Sequence, residues 1–100
     1  MIFRRSPFKD VVDAQLDLFE REHAELLEHI EKLLDEYNHA ERDEAEEAFG
    51  DYMDAQALAA EILEDMRDHY ARTLDDPDAY VAEFNREVKK RMPVTATELD

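Results

Sequence analysis

NHAERDEAEEAFGD (Asn38–Asp51) separates two long apolar repeats, and the place where the chain turns inside it decides the fold. Upstream, Val12, Leu16, Phe19, His23, Leu26, Ile30, Leu33 and Tyr37 follow one another in alternating steps of four and three, the spacing of one helix face. Downstream, Ala45, Phe49, Tyr52, Gln56, Ala59, Leu63, Met66, Tyr70 and Thr73 repeat the same steps. Between them, Asn38-x-x-Glu41 and Asp43-x-x-Glu46 both have capping-box spacing, and the following acidic residues suit a helix N-terminus. The pattern predicts a turn over about 38–43. Gly50 followed by Asp51 offers the competing solution, a turn at 49–51, because Gly favours the residue after a helix and Asp a helix start. The earlier turn gives two helices of matching length and keeps Phe49 and Tyr52 in one seam.

Punctuation elsewhere fits this frame. Ser6-Pro7 and Asp76-Pro77 each read as a cap followed by proline at the first helical position, and Pro93 ends the last apolar stripe, Tyr80, Val81, Phe84 and Val88. The expected fold is all-α: a long antiparallel helical hairpin, 7–37 and 43–74, plus a short third helix, 77–91. A single domain over 1–93 is followed by a flexible tail, 94–100. Composition agrees, with one Gly, three Pro, 44% apolar and 40% charged residues, and no strand-like alternation.

The stripes are wider than one neighbouring helix can cover. Val11, Leu18, Leu27 and Leu34 flank the first seam, and Met53 and Ile62 flank the second. The third helix is too short to shield them all. These six residues are therefore the expected interface of a homodimer with a four-helix core, or of a docked partner-protein helix. His23 and Gln56 are the polar members of the two seams and suit a register-setting role.

Charge narrows function by exclusion. The formal net charge is −16, with 28 acidic against 12 basic residues. Such a surface is unsuited to nucleic acid or to an anionic membrane. Seven of the twelve bases lie in the flanks, Arg4, Arg5 and Lys9 at one end and Arg86, Lys89, Lys90 and Arg91 at the other, while residues 10–83 hold 25 acidic and 5 basic side chains. An antiparallel hairpin is expected to bring both clusters to its open end. There is no Cys, hence no disulfide or thiolate chemistry. There is no run of transmembrane length and no signal peptide, which points to the cytoplasm.

Catalytic signatures are missing. One Gly rules out a phosphate-binding loop, and Ser6 is the only serine. No enzyme activity and no cofactor are expected. The chemistry to weigh is metal binding: Glu20-x-x-His23 and Glu36-x-x-His39 have the spacing used by di-metal bundles, in a chain with 15 Glu and 4 His. With the turn near residue 41, His23 should face Ala59 and Glu20 should face Ile62, so a metal site around Glu20 and His23 would have to be completed across a dimer. Asp65 and His69, with Asp13 and Asp17 expected opposite, form a second acidic group that reads as an ion-pair cluster.

The architecture resembles in shape the short two-helix ferritin-like proteins that complete a metal site by dimerising. Those proteins carry carboxylates and Glu-x-x-His on the seam of the second helix. This chain has Gln56, Ala59, Ala60 and Leu63 there, so no ligand residue carries over. The preferred reading is a small acidic helical interaction or assembly module, and the alternative is a metal-binding bundle.

Overall fold

The computed structural model describes residues 7–100, all-helical and without a strand among them. Ser6, Arg4 and Arg5, with the cap and charge readings placed on them, lie outside the described residues. Five helices follow one another: α1 (Lys9–Glu22), α2 (Ala24–Asn38), α3 (Ala45–Ala71), α4 (Asp78–Arg91) and α5 (Pro93–Ala96). The first two together form one limb of the expected hairpin, and α3 forms the other.

The chain turns between α2 and α3, before Gly50. Ala40 N–H donates to the Tyr37 carbonyl at 3.2 Å, and Glu44 N–H to the Glu41 carbonyl at 2.9 Å. The connection runs to Glu44, one residue further than the sequence suggests, so Asp43 lies outside the cap position and α3 starts without a side-chain cap. Glu46 and Glu47 in its first turn still supply the negative charge that the helix dipole favours. Gly50 sits inside α3 with open space where a Cβ would be.

One expected helix is two. The limb predicted to be continuous over 7–37 breaks at His23, whose φ of −117° and ψ of 29° leave the helical range. The break is local: His23 N–H still donates to the Phe19 carbonyl at 2.9 Å, and Leu27 N–H to the His23 carbonyl at 3.1 Å. Its physical reason is tertiary. Below the break α1 packs chiefly against α4, and above it α2 packs chiefly against α3. The bend lets each half follow its own partner.

α4 begins where α3 ends and runs back alongside α1, parallel to it. Phe8 meets the Tyr80 ring edge-on at 5.6 Å near the start of both helices, and Arg91 reaches Asp17 and Glu20 near their ends. α4 starts at Asp78 with Pro77 in the cap position, one residue later than the cap-then-proline signal suggests, and Asp78 N–H donates to the Asp76 carboxylate at 3.3 Å. The core sits between these elements: Val12, Leu16 and Phe19 from α1, Ile30 from α2, Tyr52, Ala55, Ala59 and Leu63 from α3, and Tyr80, Phe84 and Val88 from α4. Burying Tyr80 and Phe84 completely is the largest single contribution α4 makes, at about 2 kcal/mol each.

The tail is packed, against the expectation of a loose 94–100 segment. Pro93–Ala96 forms a helical turn, Thr95 is buried, and Leu99 packs on the core. Polar bonds hold it. Thr95 donates its hydroxyl to Gln56 Oε1, Asp100 N–H donates to the Glu64 carboxylate, and buried Arg67 donates to the Asp100 carbonyl at 2.9 Å and to Asn85 Oδ1 at 3.0 Å. Among the described residues no buried side-chain N or O lacks a partner.

The resulting molecule is elongated, 53 × 32 × 22 Å. α3 alone, with 27 residues, is about 40 Å long. At the open end it packs with α4, which in turn packs on α1. Beyond α5 it has, among the described residues, only α2 beside it, and this two-helix arm carries the surfaces of interest.

Candidate functional site

Two neighbouring helices form two grooves, one on each side of their contact line. In the arm both are open. The groove on the α5 side, about 260 Å³, is lined by Leu27, Ile30, Glu31, Gln56 and the Met92–Thr95 segment. The groove on the opposite side, about 460 Å³, is lined by Leu26, His29 and Leu33 of α2 and by Asp51, Asp54, Ala55 and Leu58 of α3. Helical spacing assigns the neighbouring residues. Leu34 lies seven residues after Leu27, and Phe49 seven before Gln56, so both extend the α5-side groove. Ile62 follows Leu58 by four and so extends the opposite one, whereas Leu18 lies on α1, below the break at His23.

The six predicted interface residues therefore do not share one face. Leu27, Leu34 and Met53 belong to the α5 side and Ile62 to the other, while Val11 and Leu18 lie on α1, outside the arm. Val11, Leu27, Met53 and Ile62 are half-buried against the core, whereas Leu18 and Leu34 are exposed. The most exposed large apolar side chains were not among the six: Leu58 is 48% exposed and Phe49 46%. Phe49 reads in sequence as a core seam residue. In the structure it is exposed, its ring tilted against that of Tyr37 with centroids 5.2 Å apart, because among the described residues no third helix reaches that far along the arm. Leu58 lies outside the seam, on the helical row Asp51-Ala55-Leu58-Ile62.

Gln56 meets the expectation of a buried polar seam residue. Its Nε2 donates to the Tyr52 hydroxyl at 3.0 Å, and its Oε1 accepts from Thr95, so its amide ties α5 to the arm. His23 is half-buried at the break, its ring 5.1 Å from that of Phe19.

The carboxylates next to it have a different neighbour from the expected one. Glu20 faces Arg91 rather than Ile62, with Nη1 to Oε2 at 3.2 Å. The same guanidinium donates to Asp17 at 2.8 Å and Glu87 at 3.3 Å and approaches Asp13 at 3.4 Å. Lys9 pairs with Asp13 at 2.8 Å and lies 3.7 Å from Glu87. Burial lowers the Arg91 pKa, but the bonds to Asp17 and Glu87 and the charge of Glu20 outweigh it, and the net shift is upward. Asp13 and Asp17 thus face α4, not the Asp65 and His69 pair proposed for them, because α4 occupies that edge of α1. For the same reason the C-terminal basic cluster is not at the open end. α4 starts there and runs about 20 Å back before reaching Lys89, Lys90 and Arg91.

The second Glu-x-x-His pair, at the hairpin tip, is solvated. His39 bonds to the Asp35 carbonyl at 2.8 Å and lies 3.3 Å from its carboxylate, with both side chains about three-quarters exposed. Among the described residues no group of three or more His, Asp or Glu is placed to hold a metal ion, so a site around Glu20 and His23 would depend wholly on a second chain and on freeing Glu20 from Arg91. No helix of the described residues is long and apolar enough to cross a membrane. Compared with known proteins, the chain matches no family model, no curated protein and no solved structure.

Proposed function

We propose that this chain is a small acidic helical assembly module, without catalysis, that pairs with a second copy of itself through the α5-side face of its arm. The observation that carries the reading is the row Leu34, Phe49 and Val94, all exposed around a groove floored by Leu27, Ile30 and Gln56. The third helical layer stops at α5 while the apolar face continues, and a second arm laid across it would complete a four-helix core.

The charges around this face support a twofold pairing. Glu28, Glu31 and Asp35 line its α2 edge, Lys89 and Lys90 stand exposed just before α5, and the α3 edge at Gly50, Met53 and Ala57 is uncharged. In a twofold contact the acidic edge of each copy meets the lysines of the other, so one surface complements itself. Static light scattering tests the reading. The wild type should scatter as twice 11.8 kDa at high micromolar concentration, and Phe49→Glu should scatter as a monomer with unchanged helicity. A monomeric wild type would refute it.

A further inference from the structure

The opposite face of the hairpin differs in charge, and the difference identifies another occupant. Its groove holds Leu26, Leu33 and Leu58, and the stripe continues through Ile62 on the side that neither α4 nor α5 lines. The rim is acidic on both limbs: Glu22, Glu25 and Glu36 on one, and Asp51, Asp54 and Asp65 on the other, every one exposed. Over 24–38 and 45–66 the sole Lys or Arg is Lys32. Pairing two copies through this face would set carboxylate against carboxylate, a costly arrangement at an interface.

The chain itself shows what such a face accepts. On the other side of the same hairpin, α4 fills the equivalent groove with Tyr80, Phe84 and Val88, spaced four apart, and drives Arg91 among the carboxylates of Asp13, Asp17 and Glu20. An apolar stripe at helical spacing with bases beside it is the complement of this hairpin's flank. We propose that the uncovered face docks a basic amphipathic α-helix of a partner protein, its apolar side on Leu26, Leu33 and Leu58 and its bases against Asp51, Asp54 and the neighbouring carboxylates. Leu58 is the anchor: it is the most exposed large apolar side chain among the described residues and sits within the groove.

The probe is a fluorescein-labelled helical peptide of Leu and Lys, with leucines at i, i+3, i+4 and i+7, titrated with the full chain and followed by anisotropy. A peptide of the same composition in scrambled order controls for charge alone. The expected result is saturable binding that weakens by about tenfold or more with the scrambled peptide and with Leu58→Glu. Leu34→Glu, on the other face, should bind as the wild type does. Amide shift perturbations should centre on Leu26, Leu33 and Leu58. Equal binding of the scrambled peptide, unchanged binding by Leu58→Glu, or perturbations centred on Leu34 and Phe49 would each overturn the proposal. Because Leu34→Glu disables the self-association face alone, failure of the one surface is distinguishable from failure of the other.

Discussion

The Arg91 guanidinium, in the last turn of α4, donates to the Asp17 carboxylate of α1 at 2.8 Å, and this bond anchors a cluster in which one cation serves Asp13, Asp17, Glu20 and Glu87. An isolated surface pair would matter little, but four carboxylates sharing one guanidinium repel one another when it is removed. Arg91→Ala should destabilise the fold by roughly 1–3 kcal/mol. Raising the salt concentration should recover more stability in the variant than in the wild type, since salt screens the exposed repulsion. Urea melts at low and high NaCl read both effects. An Arg91→Ala midpoint equal to that of the wild type would show that the cluster holds nothing.

Gly50 occupies the interior of α3, where a methyl group meets nothing within 4 Å. Gly50→Ala should raise stability by about 0.5–1 kcal/mol, because it restricts the unfolded chain and suits the helix. A drop in melting temperature would mean that the chain bends or turns at residue 50, as the competing reading of the sequence had it.

How far such features can be read from sequence depends on what kind of interaction sets them. The turn was legible because Asn38–Asp43 interrupts a periodic apolar pattern, and the seams were legible because burial selects residue type. The break at His23 was not. It leaves the heptad spacing intact, and it arises from α1 and α2 choosing different partners, which no local pattern encodes. The packed tail was invisible for another reason: Thr95 is buried through a hydrogen bond to Gln56, so its polarity read as exposure. Of the candidate surface, the surplus of apolar residues was legible. Its division into two faces was not, because that depends on which side α4 and α5 cover.

The Thr95–Gln56 bond carries its own prediction. Thr95→Val fills the same space but leaves Gln56 Oε1 without its donor in a buried site, which should cost about 1–3 kcal/mol. Amide exchange should quicken at Ala96, Thr97 and Leu99, whose N–H groups bond within the same turn. If exchange there matches the wild type, the tail is held by something other than this bond.

Tyr80 gives the fold an alkaline limit. Burial raises its phenol from 10.0 to about 12, against the opposing hydrogen bond to Gln15. The folded pKa lies above the unfolded one, so the stabilisation is complete below pH 10 and is lost as pH rises from 10 towards 12. Lys9, raised mainly by its hydrogen bond to Asp13, loses its contribution in the same direction. The absorbance titration of the wild type minus that of Tyr80→Phe should show a phenolate midpoint near 12, and Tyr80→Phe should lose stability less steeply over this range. A difference midpoint near 10 would contradict the burial of that hydroxyl.

The most direct measurement of the central claim uses the absence of cysteine from the sequence. A single cysteine placed at Met53, on the α5 side, or at Leu58, on the opposite side, can be joined only to a second chain by a short bis-maleimide linker. Self-association through the α5-side face predicts a covalent dimer in high yield from Met53→Cys and little from Leu58→Cys. Equal yields from the two, or a dimer from Leu58→Cys alone, would contradict it.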